Sequence, residues 1–186
     1  MMKTRLSTDA IRWMRDERGI SLKTLTLMRC ESAMDRFGDE QEASIRFPYF
    51  KNRKKVNHKS RALHEKRFVS QLGGEQTWYN LDHVIDGVTS GSFEQVFVVE
   101  GEIDVLSLVE CGVTYCVSPP NGAGGSPSQD HANLEKHFPY INESLRLGLN
   151  KVKHWVLAVD KDVAGEALRN QLVKKLGVGL CSYVMA

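Results

Sequence analysis

Two short apolar runs, each closed by acids, constrain this chain more than any other feature. Val96-Phe97-Val98-Val99 leads straight into Glu100-Gly101-Glu102, and Trp155-Val156-Leu157-Ala158-Val159 leads into Asp160-Lys161-Asp162. An apolar run without polar alternation is the pattern of a strand buried on both faces, as in a parallel sheet covered by helices. The neighbouring sequence supplies the other parts of such a sheet. A helical stretch over 104–110 ends at Gly112, and 114–117 reads as a second strand. Residues 119–125, rich in proline and glycine, form a loop. A helical stretch lies within 129–147, with Pro139 as its candidate break. The pattern over 164–176 places Ala164, Ala167, Leu168, Leu172 and Leu176 on one side of a helix, ended by Gly177 and Gly179, and 181–185 reads as a fourth strand. Strands alternating with helices predict an open parallel α/β sheet over residues 94–186, with right-handed crossovers.

The chain before residue 94 has a different texture. Residues 8–18 predict a short helix with Ser7 or Thr8 as its cap and Gly19 as its end. A second helix is expected over 22–29 and a third over 31–37, so that residues 1–39 read as a helical lead-in. Ile45, Phe47 and Tyr49 then alternate, which is a strand signal for 43–50. Lys51-Asn52-Arg53 reads as a turn and 54–63 as the returning strand. The period of two puts Lys55, Asn57, Lys59 and Arg61 on one face of that strand. Gly73-Gly74 marks a turn, and the apolar Trp78-Tyr79-Asn80-Leu81 segment is expected to dock against the rest. Residues 40–93 thus form a smaller β-rich unit.

That unit is also strongly basic. The net charge of +2 conceals nine Lys or Arg against one acid, Glu65, within residues 43–70. From Phe68 through Glu135 there are ten acids and no Lys or Arg. Cations interleaved with Phe47, Tyr49, Phe50 and Phe68 suit a polyanion, most simply nucleic acid. Lys54, Lys55, Lys59, Arg61 and Arg67 are the candidate contacts. No apolar run reaches the roughly 18–20 residues of a membrane-spanning helix, and the first residues lack the apolar core of a secretion signal. The four cysteines include no C-x-x-C pair, which argues against a zinc site and a disulfide framework. Free thiols in a reducing cytoplasm are expected.

In an open parallel sheet, ligands bind beyond the carboxyl ends of the strands. Glu100, Asp160 and Asp162 all fall there. Three carboxylates on one rim would make an oxygen-rich, highly negative site suited to Mg²⁺ or Mn²⁺, which could polarise a phosphoryl group. Asp104 is either a first-turn helix acid or a further partner of the metal. Asn121 and Gly122 lie in a loop whose backbone N–H groups could hold phosphate oxygens. Gly101 is either a turn glycine or a gap that lets a phosphate approach. No G-x-x-x-x-G-K-[ST] occurs, so the chain carries no P-loop.

The strings V-F-V-V-E100-G-E-I-D104, V-S-P-P-N121-G-A and V-L-A-V-D160-K-D162-x-A-G resemble the Toprim domain, and more narrowly that of phage-type primase–helicases and Twinkle-like proteins. I-R-F-P-Y-F-K-N-R-K-K-V-N-H-K59-S-R61 is similar to the basic subdomain that precedes Toprim there, and R-G-I-S-L-K-T-L to its helical lead-in. The resemblance implies Mg²⁺-dependent, template-directed synthesis of RNA primers on single-stranded DNA from NTPs, within a longer primase–helicase or beside a helicase protein. It assigns Glu100 as metal ligand or general acid–base, Asp160 and Asp162 as the metal-binding pair, and Lys59 and Arg61 as nucleotide or template contacts. The zinc module of the phage members and a further acidic motif beyond the D-x-D helix have no counterpart here. A Toprim nuclease and a non-catalytic DNA-binding module of a helicase remain the alternatives.

Overall fold

The computed structural model describes residues 6–121 and 138–184. Thr8–Arg18 (α1) is capped by the Ser7 hydroxyl, which accepts from the Ala10 N–H at 3.2 Å, and it ends at Gly19 in the left-handed region. Leu22–Leu27 (α2) starts on Ser21 in the same way. Ser21 also donates its N–H and hydroxyl to Glu110, at 3.0 and 2.9 Å, which fastens the lead-in to the second half of the chain.

Glu31–Phe37 is a strand (β1), not the expected third helix. It pairs antiparallel with Glu40–Lys51 (β2) through a tight turn at Gly38-Asp39, in a register running from Glu31 opposite Arg46 to Phe37 opposite Glu40. Its sequence has no period of its own, so pairing with a strongly alternating neighbour decides its state; strand preference depends on packing partners more than on backbone bias. Lys54–Ala62 (β3) and Phe68–Ser70 (β4) complete a four-stranded antiparallel sheet in the order β1-β2-β3-β4. The turn between β2 and β3 is where the sequence puts it, with Asn52 and Arg53 both left-handed, as a two-residue hairpin turn requires.

A bulge changes the face of β3. Tyr49 stands opposite Asn57, but Phe50 stands opposite Lys55, leaving Val56 as the extra residue. An extra residue reverses the alternation beyond it. Lys55 therefore does not share a face with Asn57, Lys59 and Arg61, and the expected four-residue row is broken.

The second sheet is parallel, as expected. Gln95–Val98 (β5), Cys116–Val117 (β6), His154–Leu157 (β7) and Cys181–Tyr183 (β8) lie in the order β6-β5-β7-β8. The helices are Leu81–Thr89 (α3), Glu102–Glu110 (α4), Pro139–Leu147 (α5) and Val163–Leu176 (α6). Pro139 opens α5, where the first helical position needs no N–H donor; the part of the expected helical stretch over 129–137 lies outside the described residues. Among the described residues, no helix is long and apolar enough to cross a membrane.

Two cores hold the molecule together. One gathers Val96, Val98, Trp155 and Leu157 with residues of α3, α5 and α6. The other lies between the two sheets: Ile45, Phe47 and Tyr49 of β2 meet Met14 of α1, Leu25 of α2, and Val105, Leu106 and Val109 of α4. Trp78 and Tyr79, adjacent in sequence and both buried, divide between the two. The alternating face of β2 is thus the seam with the parallel sheet. All four cysteines are free; Cys30 and Cys116 are buried, with thiol pKa values pushed up to about 12 by burial, whereas Cys111 is exposed.

Candidate active site

The register of the parallel sheet brings the two acidic strand ends together. Val98 on β5 stands beside Leu157 on β7, so the residues that follow each strand emerge side by side. Glu100 accepts the Asp160 N–H through Oε1 at 2.9 Å. Residues 60 positions apart thus meet directly. Asp162 caps α6, its Oδ1 accepting from the Gly165 N–H at 2.8 Å, which leaves its other oxygen uncommitted. Asp104 in the first turn of α4 reaches back to the Gly101 N–H at 2.9 Å through Oδ2, the acid half of a capping arrangement. Gly101 itself is extended, at φ −140°, so its conformation does not demand glycine.

Glycine is demanded at Gly165 instead. A Cβ there would stand 2.1 Å from the Asp160 carbonyl oxygen and 2.6 Å from Glu100 Oε1. Only a residue without a side chain lets the start of α6 press against both acidic strand ends. Nothing in the local pattern singles this position out, because a glycine three residues after an N-cap has no conformational signature.

The electrostatics of this rim are those of uncompensated negative charge. Burial pushes the Glu100 carboxyl up, and repulsion from Asp160, Asp162 and Asp104 adds to it, against the Asp160 N–H that favours the charged form. Asp104 is likewise pushed up by desolvation and by Asp160 and Glu102, against the Gly101 N–H and a distant Arg18. Among the described residues, no ion pair involves Glu100, Asp104, Asp160 or Asp162. The donor set suits Mg²⁺: all oxygen, like-charged, with free carboxylate oxygens. The side chains are not drawn into a closed cage, since among the described residues no three His, Cys, Asp or Glu groups are close enough to enclose an ion.

The basic candidates are mostly engaged. Lys59 Nζ lies 3.2 Å from Glu102 Oε1 and 5.2 Å from the centre of the Phe68 ring. Arg61 is 6% exposed, donates to the Ala62 carbonyl at 2.7 Å and stacks on Trp13 of α1 at 4.1 Å. Lys55 pairs with Glu31 at 3.3 Å, and Arg67 with Glu40, Glu42 and Glu65. Lys54 is exposed beside the hairpin tip, where Asp82 of α3 accepts the Asn52 and Arg53 backbone N–H groups. Asn121 is exposed, and Gly122 lies outside the described residues. The structure therefore brings Lys59 next to the first turn of α4 and keeps Lys54 and Lys55 at the far end of β3. The Lys59 partner, Glu102, is 2% exposed and also accepts the Tyr49 hydroxyl. In the sequence Tyr49 was one of three alternating apolar positions and one of the aromatics among the cations; the structure buries it, with Phe47, in the core between the sheets rather than on a face open to a polyanion.

A parallel sheet with an acid-tipped β5 beside an acid-tipped β7, joined through Glu100 and Asp160, is the arrangement that the sequence resemblance implied, and a match to a family model over the same residues decides the family. The chain carries a Toprim domain. Residues 94–182 match the family described as Toprim domain. Along most of its length the chain is similar to two Arabidopsis thaliana proteins. It is 32% identical over 170 residues to the Twinkle homolog protein, chloroplastic/mitochondrial, covering 88% of this chain and 22% of that protein. It is 33% identical over 173 residues to the Primase homolog protein, covering 90% of this chain and 47% of that one. The chain thus spans less than half the length of either relative. Its fold is also that of the primase fragment of the bacteriophage T7 primase-helicase protein, with a TM-score of 0.62 and 21% identity over 91% of this chain and 62% of that fragment. The Toprim domain and the antiparallel sheet before it together have the fold of the DnaG catalytic core, with a TM-score of 0.61 and 16% identity over 96% of this chain and 66% of that one.

Proposed function

We propose that this module synthesises short RNA primers on single-stranded DNA, in a Mg²⁺-dependent reaction, as part of a primase–helicase or beside a helicase partner. The observation that carries the reading is the contact of Glu100 with Asp160 at the ends of adjacent strands, within a rim of carboxylates that form no ion pair among the described residues. Glu100, Asp160 and Asp162 would hold the metal, with Asp104 behind them. Mg²⁺ bound there would polarise the α-phosphate of an incoming NTP and stabilise the charge on the departing pyrophosphate. The chain's own residues supply position. The Asp160 N–H orients Glu100, the α6 cap orients Asp162, and Gly165 allows the two strand ends to close up. Lys59 offers an ammonium to the nucleotide phosphates. Exposed Lys54 is available to the template, and Arg61, buried against Trp13, fixes α1 to β3. The 3′-hydroxyl of one ribonucleotide attacks the α-phosphorus of the next: its proton passes to a carboxylate of the rim or to water, the new P–O bond forms, and the bond to pyrophosphate breaks as pyrophosphate leaves.

The test is to incubate the protein, alone and in its full-length context, with single-stranded DNA, NTPs and Mg²⁺. Oligoribonucleotides that disappear with EDTA and with Glu100→Gln support the reading. No product in either context overturns it, and metal-dependent DNA cleavage without NTPs would assign the same site to a nuclease.

A further inference from the structure

Glu102 stands apart from the other acids of this region. It is the second residue after Glu100 and the first of α4, yet its side chain points away from solvent into the seam between the two sheets. There it meets two groups from the antiparallel sheet. Tyr49 of β2, itself buried, donates its hydroxyl to Oε1, and Lys59 of β3 brings its ammonium to 3.2 Å from the same oxygen. The Lys59 side chain is 15% exposed and that of Glu102 3%. A lysine stem has four flexible bonds and its ammonium no preferred direction, so an ammonium in a fixed place needs a fixed counter-charge. Glu102 is fixed three times over, by the helix, by burial and by Tyr49. The Phe68 ring closes the far side of the ammonium at 5.2 Å. The burial of Tyr49 is set in turn by the β2 face, where it packs edge-on to Tyr79 at 5.3 Å between ring centres.

We propose that Glu102 is a positioning residue. Its buried carboxylate, anchored by Tyr49, holds the Lys59 ammonium beside the first turn of α4, the helix that follows the acidic end of β5, so that the antiparallel sheet presents one placed cation to the phosphates of a metal-bound nucleotide. The nucleotide part of this statement rests on the primase reading; the hold of Glu102 on Lys59 does not. The same contact joins β3 to the first turn of α4, so the distance between Lys59 and Glu100 is set by a buried pair rather than by a surface side chain searching in water.

Two measurements test it. The first is the rate at which Lys59 reacts with an amine-specific ester, read by peptide mass spectrometry, with exposed Lys54 as internal control. Lys59 reacts slowly in the wild type and faster by about tenfold in Glu102→Gln, the change expected for coupling of side chains in contact. Tyr49→Phe, which keeps the carboxylate and removes only its anchor, gives a smaller rise and guards against misfolding of the first variant. Equal Lys59 rates in all three proteins overturn the proposal. The second is the affinity for Mg²⁺-ATP by calorimetry. Glu102→Gln weakens it by about tenfold when Lys59 is present and has no effect in a Lys59→Ala background; equal weakening in both backgrounds overturns the positioning role. A wild type that binds no nucleotide, while the labelling contrast holds, counts against the primase reading and leaves the Glu102–Lys59 hold intact.

Discussion

The two sheets treat charge in opposite ways. In the antiparallel sheet the cations are answered by carboxylates: Arg46 by Asp35 at 2.5 Å, Lys51 by Glu75 and Glu143, Arg53 by Asp86, Lys55 by Glu31, and Arg67 by three glutamates. At the ends of β5 and β7, Glu100, Asp104, Asp160 and Asp162 repel one another and, among the described residues, form no ion pair; the one cation that acts on them is Arg18, which eases Asp104. Paired charges at the surface contribute little to stability but fix geometry. Like charges left together raise one another's proton affinity and oppose folding, so their concentration at a strand-end crevice marks capacity for a ligand of opposite sign. One half of the molecule is finished electrostatically, and the other awaits a cation.

The largest effect that would break this comparison is on chemistry. Glu100→Gln should lower primer synthesis by on the order of 10²–10⁴-fold, measured with labelled NTPs, while leaving the melting temperature equal or higher, because a repelled carboxylate has been neutralised. A destabilised Glu100→Gln would show that the rim is a structural network like that of the other sheet. Gly165→Ala comes next. The new Cβ meets the Asp160 carbonyl oxygen and Glu100 Oε1, and overpacking of this kind costs about 1–3 kcal/mol, read by urea unfolding; an unchanged midpoint would mean that the acidic strand ends are not closely held.

Acid unfolding separates the two regions by sign. Burial works against the Asp35 charge, but hydrogen bonds from Arg46 and Ser44 outweigh it and hold the carboxyl well below the ordinary range. Its contribution is complete above the ordinary carboxylate pKa and is lost as pH falls through the depressed value. Asp35→Asn should therefore cost about 1.5 kcal/mol at pH 7 and progressively less below about pH 4. Glu100 and Asp104 carry raised values, so they oppose folding in full above their folded pKa values, and that opposition fades as pH falls from there and is gone below the ordinary carboxylate pKa. Glu100→Gln should gain stability at pH 7 and none near pH 3, and a cost that shrinks in acid would remove the contrast. The smallest effect belongs to Lys54, exposed and outside the paired network. Lys54→Ala should change stability by less than about 0.5 kcal/mol and reduce the salt slope for single-stranded DNA by about 0.7, whereas Lys55→Ala should leave that slope alone.

Much of this was legible in the residues. The buried strands of the parallel sheet, the cap at Ser7, the Asn52-Arg53 turn and the position of Glu100 and Asp160 at strand ends all follow from patterns a few residues long. Each is fixed by local sterics, hydrogen bonding or the period of burial, so each can be read where it stands. Other features cannot. Glu31–Phe37 is a strand because β2 lies beside it, and Lys55 changes face because Val56 is squeezed out of register. The basic stretch reads as one open face only until its partners, many of them distant in sequence, arrive to neutralise it.

The sequence by itself determined the strands of the parallel sheet and put acids at the ends of two of them, since burial periodicity and backbone capping act between near neighbours. Only the tertiary structure decided that β5 and β7 are adjacent, that Gly165 must be bare, and that Lys59 is held by Glu102 while Glu100 is held by no cation. Those are relations between residues far apart in the chain, and a charge is free or engaged according to what folding brings within a few ångströms of it.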